Sequence, residues 1–172
     1  MNRKYRKTVI AGNWKMNMLP SEVKPYADTL RALAGKTKHC EVVICAPFVM
    51  LPQLIKALRD CRIAVGAQNV SDKDSGAYTG EASANQLRDL GVKYVIIGHS
   101  ERRSYFGETD EMVRAKVTAA IGAGLIPIIC VGETLEQREM GVTKDLISMQ
   151  VKLALSAVPP EKMRRVIFAY EP

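Results

Sequence analysis

The sequence is poor in the features that identify many classes of protein at once. It has one tryptophan, two histidines, three phenylalanines and four cysteines among its 172 residues. No apolar run approaches the roughly 20 residues that a membrane-spanning helix requires, so no membrane partner is expected. The cysteines, at positions 40, 45, 61 and 130, form no Cys-x-x-Cys pair, which is typical of reduced structural thiols in a cytoplasmic protein and predicts no metal site. The nucleotide-binding patterns Gly-x-Gly-x-x-Gly and Gly-x-x-x-x-Gly-Lys-Ser/Thr are absent.

Positive charge is in excess over negative charge. Lys and Arg number 25 against 18 Asp and Glu, which gives a net charge of +7 and a pI of about 9.3. The basic residues recur along most of the chain, and their densest groups lie at 3–7 and 162–165. No DNA- or RNA-binding signature accompanies them. We therefore expect a small anionic molecule as partner, steered by the positive surface, and no nucleic acid.

Apolar runs alternate with amphipathic segments along the whole sequence. This pattern predicts an α/β fold in one domain over residues 1–172, with six strands and five helices around a parallel sheet. Two architectures satisfy it, a (β/α) barrel and an open doubly wound sheet of the Rossmann type. The predicted strands lie at 8–12, 41–46, 63–67, 94–97, 126–131 and 166–170.

A polar cluster follows the fourth predicted strand directly. The run ends at Gly98, and His99, Ser100, Glu101 and two arginines come next. His99 can change its protonation near neutral pH, although a histidine after a strand can also simply cap a turn. The carboxyl end of a parallel strand is where ligands bind in α/β proteins, so this stretch predicts a functional site.

Polar residues also follow the other predicted strands. Because the carboxyl ends of parallel strands meet at one edge, we expect these side chains to converge. A carboxylate base, a neutral hydrogen-bond donor and a cation together suit proton abstraction next to a carbonyl, and the cation also suits a phosphorylated substrate. The residues are Asn13, Lys15, Gln68, Asn69, His99, Glu101, Glu133 and Glu171.

Six motifs in order along the chain resemble the triosephosphate isomerase family. That family interconverts dihydroxyacetone phosphate and glyceraldehyde 3-phosphate in glycolysis and gluconeogenesis, and its fold is an eight-stranded barrel. The resemblance extends over the whole sequence and implies an intramolecular aldose-ketose isomerase. The motifs are 11–17 (AGNWKMN), 66–69 (GAQN), 76–81 (GAYTGE), 98–103 (GHSERR), 130–134 (CVGET) and 169–172 (AYEP).

The resemblance implies a role for each catalytic and substrate-binding residue. Glu171 is similar to the base that moves a proton between two substrate carbons. His99 resembles the electrophile that polarises the carbonyl, a histidine that this family is known to keep neutral at a helix N-terminus. Lys15 resembles the cation that holds the dianionic substrate, with Asn13 as its oxygen-binding neighbour. Glu101 is similar to a carboxylate that orders the lysine.

The resemblance also implies neighbours, partners and the absence of a cofactor. Ser100 and Cys130 are expected beside the catalytic groups. The polar loop at 70–80 is either a mobile surface excursion or functional, and it resembles the family's homodimer loop, with Gly76, Tyr78 and Thr79 at the interface. A phosphorylated triose is the implied substrate, and neither a cofactor nor a metal is implied.

The length of the sequence departs from the family pattern. A complete barrel of this type needs about 250 residues and eight strands, whereas six strands are predicted here, ending just after Glu171. We therefore expect a barrel truncated to six strands and five helices, with two unpaired sheet edges and without closure of the ring. The alternatives at this point are flattening towards an open, doubly wound Rossmann-like sheet or association through the unpaired edges. We also expect weak or absent isomerase activity from this chain, because the family's lid and phosphate-binding loops would follow Glu171. The alternative function is an inactive fragment that serves as a folding or assembly module.

Overall fold

The computed structural model of the chain describes residues 6–172, so most of the basic run at 3–7 lies outside the described residues. Six parallel strands form one sheet, each within one residue of its predicted bounds. Within the described part of the chain, no helix is long and apolar enough to cross a membrane. The strands are β1 (Val9–Asn13), β2 (Glu41–Ala46), β3 (Ile63–Ala67), β4 (Tyr94–Ile97), β5 (Ile126–Val131) and β6 (Ile167–Tyr170).

Seven α-helices and two short 3-10 helices connect the strands, so the prediction of five helices was wrong in number. The two missed helices are α4 (Ser100–Phe106) and α6 (Leu135–Glu139), and neither buries a residue. A short helix without an apolar stripe gives no 3.6-residue period, which is why periodicity could not find them. The others are α1 (Pro20–Ala34), α2 (Leu51–Ala57), α3 (Ala84–Leu90), α5 (Asp110–Gly122) and α7 (Thr143–Leu155), with 3-10 turns at Phe48–Met50 and Pro160–Arg165.

The prediction of a truncated barrel is confirmed, and the alternative of a flattened, doubly wound sheet was wrong. The strands are hydrogen-bonded in the order in which they occur in the chain, whereas a doubly wound sheet reverses its order part-way. Right-handed crossovers that always step in the same direction place every helix on the same face of the sheet. The six strands accordingly form a curled half-barrel with the helices outside, as expected for part of a (β/α) barrel.

The two faces of the sheet carry separate apolar clusters. The outer cluster joins alternate strand residues to the buried stripes of the helices, among them Val23, Leu54 and Val117. The inner cluster contains strand side chains alone, and its buried members are Val43, Cys45, Tyr94, Ile96, Ile128 and Cys130. The apolar core therefore lies mainly between the sheet and its helices, and the concave face is lined by a second, smaller layer.

β1 and β6 form the two edges of the sheet among the described residues. Their outer faces are open: Ile10 is 57% exposed, and Phe168 and Tyr170 are 38% and 50% exposed. Unpaired edges next to apolar side chains favour association, so self-association stays a prediction of this fold. Because the strands are parallel, the carboxyl ends of all six lie along one rim of the sheet, which we call the carboxyl edge. The amino ends lie along the opposite rim, the amino edge.

Candidate active site

The end of β1 fixes the backbone of Lys15. The residue has a left-handed φ of 54°, and its N–H donates to Asn13 Oδ1 at 3.1 Å. Gln68, at the end of β3, donates from Nε2 to the carbonyl oxygens of Lys15 and Cys45 at 3.1 and 3.0 Å. The short side chain of Asn13 and the amide of Gln68 thus hold a turn that a lysine rarely adopts.

The side chain of Lys15 pairs with the first turn of α4. Its Nζ lies 2.7 Å from Glu101 Oε1. The hydrogen bond to Glu101 and the charge of that carboxylate raise the pKa of Lys15, and the nearby charge of Glu171 adds to the effect. The same hydrogen bond lowers the pKa of Glu101. The pair is solvent-exposed, so it directs the ammonium group more than it stabilises the fold.

His99 is buried at the start of α4, and its contacts assign the position of its proton. β4 ends at Ile97, Gly98 turns the chain with a φ of 73°, and His99 is the N-cap residue of α4. Its Nδ1 accepts the backbone N–H of Glu101 at 3.2 Å, which requires an unprotonated Nδ1 in a neutral ring. Nε2 therefore carries the proton, and it lies 3.1 Å from Glu171 Oε1.

Glu171 follows β6 and is held close to the end of β5. Its N–H donates to the Val131 carbonyl at 3.0 Å. A Cβ built on Gly132 would lie only 2.0 Å from the carbonyl oxygen of Glu171, so only glycine fits at this position. Oε2 of Glu171 is buried without a hydrogen-bond partner among residues 6–172. The carboxylate thus has one oxygen on His99 and one unpaired oxygen.

Cys130 and Ser100 both lie near Glu171 but differ in exposure. Cys130 belongs to the inner apolar cluster, and burial, together with the charge of Glu171, raises the pKa of its thiol to about 12. Ser100 is exposed, and it lines a cavity of about 180 Å³ together with Glu171 and Cys130. Neither side chain has a recorded hydrogen bond to the carboxylate in the described part of the chain.

The predicted interface residues lie apart from this cluster. Gly76, Tyr78 and Thr79 are exposed on the loop between β3 and α3. A separate cavity of about 490 Å³ opens beside Lys15 and His99, and the loop reaches it only through its last residues. Its lining is Asn13, Lys15, Met16, Pro47, Phe48, Gln68, Asn69, Gly80, Glu81, Ile96, His99, Glu101, Arg102 and Phe106.

Sequence reasoning missed a buried ionic cluster below the site. Lys116 Nζ lies 2.5 Å from Glu108 Oε1 and donates to Asn69 Oδ1 at 2.8 Å, while Arg102 Nε donates to Glu108 Oε2 at 3.1 Å. Asn69 was singled out after β3 and Arg102 belongs to the polar cluster after β4, but Glu108 and Lys116 were not singled out. Lys116 had one visible signal, because it falls on the apolar stripe of α5 between Val113 and Val117.

A second group braces the ends of β5 and β6, and of its members only Glu133 was singled out from the sequence for its side chain. Glu133 Oε1 accepts from Arg138 Nε at 2.9 Å and from the Tyr170 hydroxyl at 2.9 Å. Burial would raise the pKa of Glu133, but these hydrogen bonds outweigh it and the pKa is lowered. Gln150 on α7 forms two bonds with Gly132, one to its N–H and one to its carbonyl, at 3.0 and 3.1 Å.

The two groups suited to proton transfer, His99 and Glu171, both come from the same chain. A buried neutral imidazole with its proton on Nε2 faces a carboxylate, and a lysine lies on the other side of Glu101. Within residues 6–172, no group of three or more His, Cys, Asp and Glu side chains is arranged to hold a metal ion.

Comparisons with known proteins agree with this arrangement. The family model described as triosephosphate isomerase matches residues 8–172. Proteins named triosephosphate isomerase from Alkaliphilus oremlandii and Acetivibrio thermocellus are each 51% identical over 167 residues, which is 97% of this chain and 67% and 66% of theirs. The crystal structure of triosephosphate isomerase from Bartonella henselae superimposes with a TM-score of 0.88 at 40% identity, covering 97% of this chain and 68% of that one.

The extent of these matches defines what they support. The chain spans about two thirds of the length of the curated relatives it matches. The family model nevertheless includes every one of the six motifs and all of the strands. The chain therefore belongs to the triosephosphate isomerase family.

Proposed function

We propose that the chain interconverts dihydroxyacetone phosphate and glyceraldehyde 3-phosphate through an enediolate. The observation that carries the proposal is the pairing of the Glu171 carboxylate with the Nε2–H of a neutral, buried His99 at 3.1 Å. Side by side, the carboxylate can take a proton from carbon while the neutral N–H donor stabilises the negative charge that develops on the neighbouring oxygen.

Glu171 is the proposed base and His99 the proposed electrophile. Substrate entering between the two groups separates them, so that Oε1 faces the carbon-bound proton and Nε2–H faces the carbonyl oxygen. The proton leaves carbon for the carboxylate as negative charge builds up on the oxygen, and Nε2–H stabilises that charge. The carboxylate then returns the proton to the adjacent carbon. His99 gives its Nε2 proton to the old carbonyl oxygen and takes the proton of the neighbouring hydroxyl, which becomes the new carbonyl, so that carbonyl and hydroxyl change places without net loss or gain of protons.

Lys15 is the proposed cation for the substrate anion, supported by Asn13 and Glu101. The strained backbone at φ 54° and the pairing of its Nζ with Glu101 at 2.7 Å fix the ammonium group before substrate arrives. Its raised pKa keeps it charged at neutral pH. A preorganised cation stabilises a developing enediolate better than a flexible one, because no reorganisation is needed during the reaction.

The test is the isomerisation rate of the 172-residue chain, followed by NMR from glyceraldehyde 3-phosphate. We expect Glu171→Gln and His99→Gln each to lower the rate by about 10²–10⁴-fold, the usual contribution of a positioned acid or base. Glu161→Gln is the matched control, because it makes the same chemical change on an exposed 3-10 turn. Intact mass establishes that each variant carries only the intended substitution, and circular dichroism establishes that it is folded.

A folded chain without a rate above buffer would contradict the proposed activity while leaving the family assignment standing. That result would favour the alternative, an inactive module for folding or assembly, which the open outer faces of β1 and β6 support. We expect a slow rate, because the side chain of Glu171 is 38% exposed and the site is not closed off from water.

The proposed protein partner is a second copy of the chain. The loop from β3 to α3 projects Gly76, Tyr78 and Thr79 into solvent, and the 490 Å³ cavity beside Lys15 offers apolar walls to such a loop. The proposed location is the cytoplasm, supported by the four free cysteines.

Light scattering on Tyr78→Glu, Phe168→Glu and Leu33→Glu tests the mode of association. We expect only Tyr78→Glu to lower the mass to that of one chain, because a buried charge in the interface is costly. Loss of association in Phe168→Glu instead would indicate pairing through the edge of β6. Leu33 is exposed on α1 and serves as the control.

A further inference from the structure

The amino ends of the strands carry a basic cavity that the proposed isomerase chemistry does not use. The residues that precede or begin β1, β2, β3 and β4 surround a space of about 390 Å³, on the edge of the sheet opposite His99 and Glu171. Five of the ten lining residues are Lys or Arg. The lining is Arg6, Lys7, Thr8, Thr37, Lys38, His39, Cys40, Glu41, Arg62 and Lys93.

The single carboxylate in this lining is already neutralised. Glu41 pairs with Lys93, and the neighbouring Tyr94 also favours the charged form of the carboxyl, which lowers its pKa. Burial alone would raise the pKa of Glu41, but these two partners outweigh it and hold the pKa below its usual value. The charge of Glu41 therefore offsets that of Lys93 and leaves the remaining cations of the cavity uncompensated.

Four cations of the cavity have no carboxylate partner within residues 6–172. Arg6 donates only to backbone carbonyls, those of Val166 and Arg164, and Lys7, Lys38 and Arg62 form no ion pair. Neighbouring cations that face one space repel one another, and a multivalent anion relieves that repulsion. A second cavity of about 570 Å³ shares Lys38 with the first and extends the basic surface to Arg31 and Lys36.

The lining favours a small anion over nucleic acid. Single-stranded nucleic acid binds where aromatic side chains stack on its bases, and among residues 6–172 no Phe, Tyr or Trp lines this cavity. Its volume lies within the usual range of small-molecule sites, about 300–1,000 Å³. The hydroxyls of Thr8 and Thr37 and the imidazole of His39 add hydrogen-bonding groups between the cations.

We propose that this amino-edge cavity binds a small polyphosphate anion, a ligand with two or more linked phosphate groups. Inorganic tripolyphosphate and the phosphate chain of a nucleoside triphosphate share this chemistry. Several separated cations match several linked phosphates, whereas one phosphate group engages only part of the set. The site is distinct from that of the triose phosphate, because the two lie at opposite edges of the sheet, and both can be occupied together.

Isothermal titration calorimetry on the 172-residue chain tests the proposal with three probes at low ionic strength. The probes are inorganic tripolyphosphate, ATP and inorganic phosphate. We expect tripolyphosphate and ATP to bind at least about tenfold more tightly than phosphate, because each added charge-assisted contact strengthens binding. ATP binding more tightly than tripolyphosphate would identify a nucleotide ligand, and equal affinities would identify the phosphate chain itself as the ligand.

Two double variants with the same change in net charge separate a site from general attraction. Lys38→Gln/Arg62→Gln removes two cavity cations, and Lys144→Gln/Lys152→Gln removes two exposed lysines of α7. We expect the first pair to weaken tripolyphosphate binding by about 10–100-fold and the second by less than about threefold. The conservative variant Arg62→Lys keeps the charge and is expected to keep most of the affinity.

Three results would overturn the proposal. Equal losses in the two double variants would mean that overall charge attracts the anion. Phosphate binding as tightly as tripolyphosphate would remove the requirement for linked phosphates. A single-stranded RNA oligomer that displaces tripolyphosphate and binds more tightly would identify a nucleic-acid surface. Because all four substituted residues are exposed, thermal unfolding should be unchanged, and a variant that fails this check is replaced by Lys38→Gln alone.

Discussion

Replacing Gly132 by alanine should displace the proposed base. The added Cβ would lie 2.0 Å from the carbonyl oxygen of Glu171, and real Cβ atoms essentially never come closer than 3.0 Å to a neighbour. The ends of β5 and β6 must therefore separate by at least about 1 Å, since the obstacle is backbone and cannot rotate away. Gln150 holds Gly132 from its other side through two hydrogen bonds, so the glycine cannot simply retreat.

The separation has two measurable costs. It strains or breaks the hydrogen bond of 3.0 Å from the Glu171 N–H to the Val131 carbonyl. Overpacking of this kind lowers the free energy of unfolding by about 1–3 kcal/mol. It also moves the carboxylate away from His99 Nε2, and a misplacement of about 1 Å typically lowers a catalysed rate by about 10²-fold.

Urea unfolding and the NMR signal of the His99 Nε2 proton measure the two effects separately. Gly122→Ala is the matched control, because a Cβ there meets nothing within 4 Å and Gly122 is an exposed residue at the end of α5. We expect the control to gain about 0.5–1 kcal/mol from the helix preference of alanine. A Gly132→Ala chain with unchanged stability and an unchanged His99 signal would refute the close approach between β5 and Glu171.

Three further predictions follow from buried groups. Lys116→Met should lower the free energy of unfolding in urea by about 3–5 kcal/mol, because it leaves the buried Glu108 carboxylate without its closest cation; no loss would show that the pair is not buried. The pKa of Glu41 is lowered in the folded chain, so its charged form stabilises the fold above the usual carboxyl pKa of about 4.5, and this stabilisation is lost as the pH falls and the carboxylate protonates. Glu41→Gln should therefore make the free energy of unfolding fall less steeply with decreasing pH below about 4.5. Cys45 and Cys130, each with a thiol pKa raised by burial to about 12, should alkylate far more slowly at pH 8 than the two half-buried cysteines, by mass spectrometry of the native chain.

The strands were predictable because each is a short run with few polar residues between turn-forming ones. The run 126–131 tolerates Pro127 within β5 and was still identified correctly. The flattening was wrongly predicted because the count of strands was treated as the deciding quantity. The direction of every crossover decides instead, and a chain that always steps the same way cannot place helices on both faces.

The residues of the site were foreseeable where they follow a strand or belong to a motif. His99 and Lys15 satisfied both conditions. Gln150 and Glu108 satisfied neither condition, because neither follows a strand or belongs to a motif. Their contacts, with Gly132 and with Arg102, form only when the chain has folded. The close approach of Gly132 to Glu171 joins positions 39 residues apart, and no local pattern of the sequence records such a distance.

The agreement between strand order and chain order has a consequence for how the chain opens. Each strand pairs only with the strands before and after it, so no pairing requires distant parts of the sequence to meet first. Stability then accumulates along the sheet much as it does in a repeat protein, where each unit depends on its neighbours. Amide hydrogen exchange should accordingly begin at β1 and β6 and move inward, and β3 and β4 should retain their protection longest.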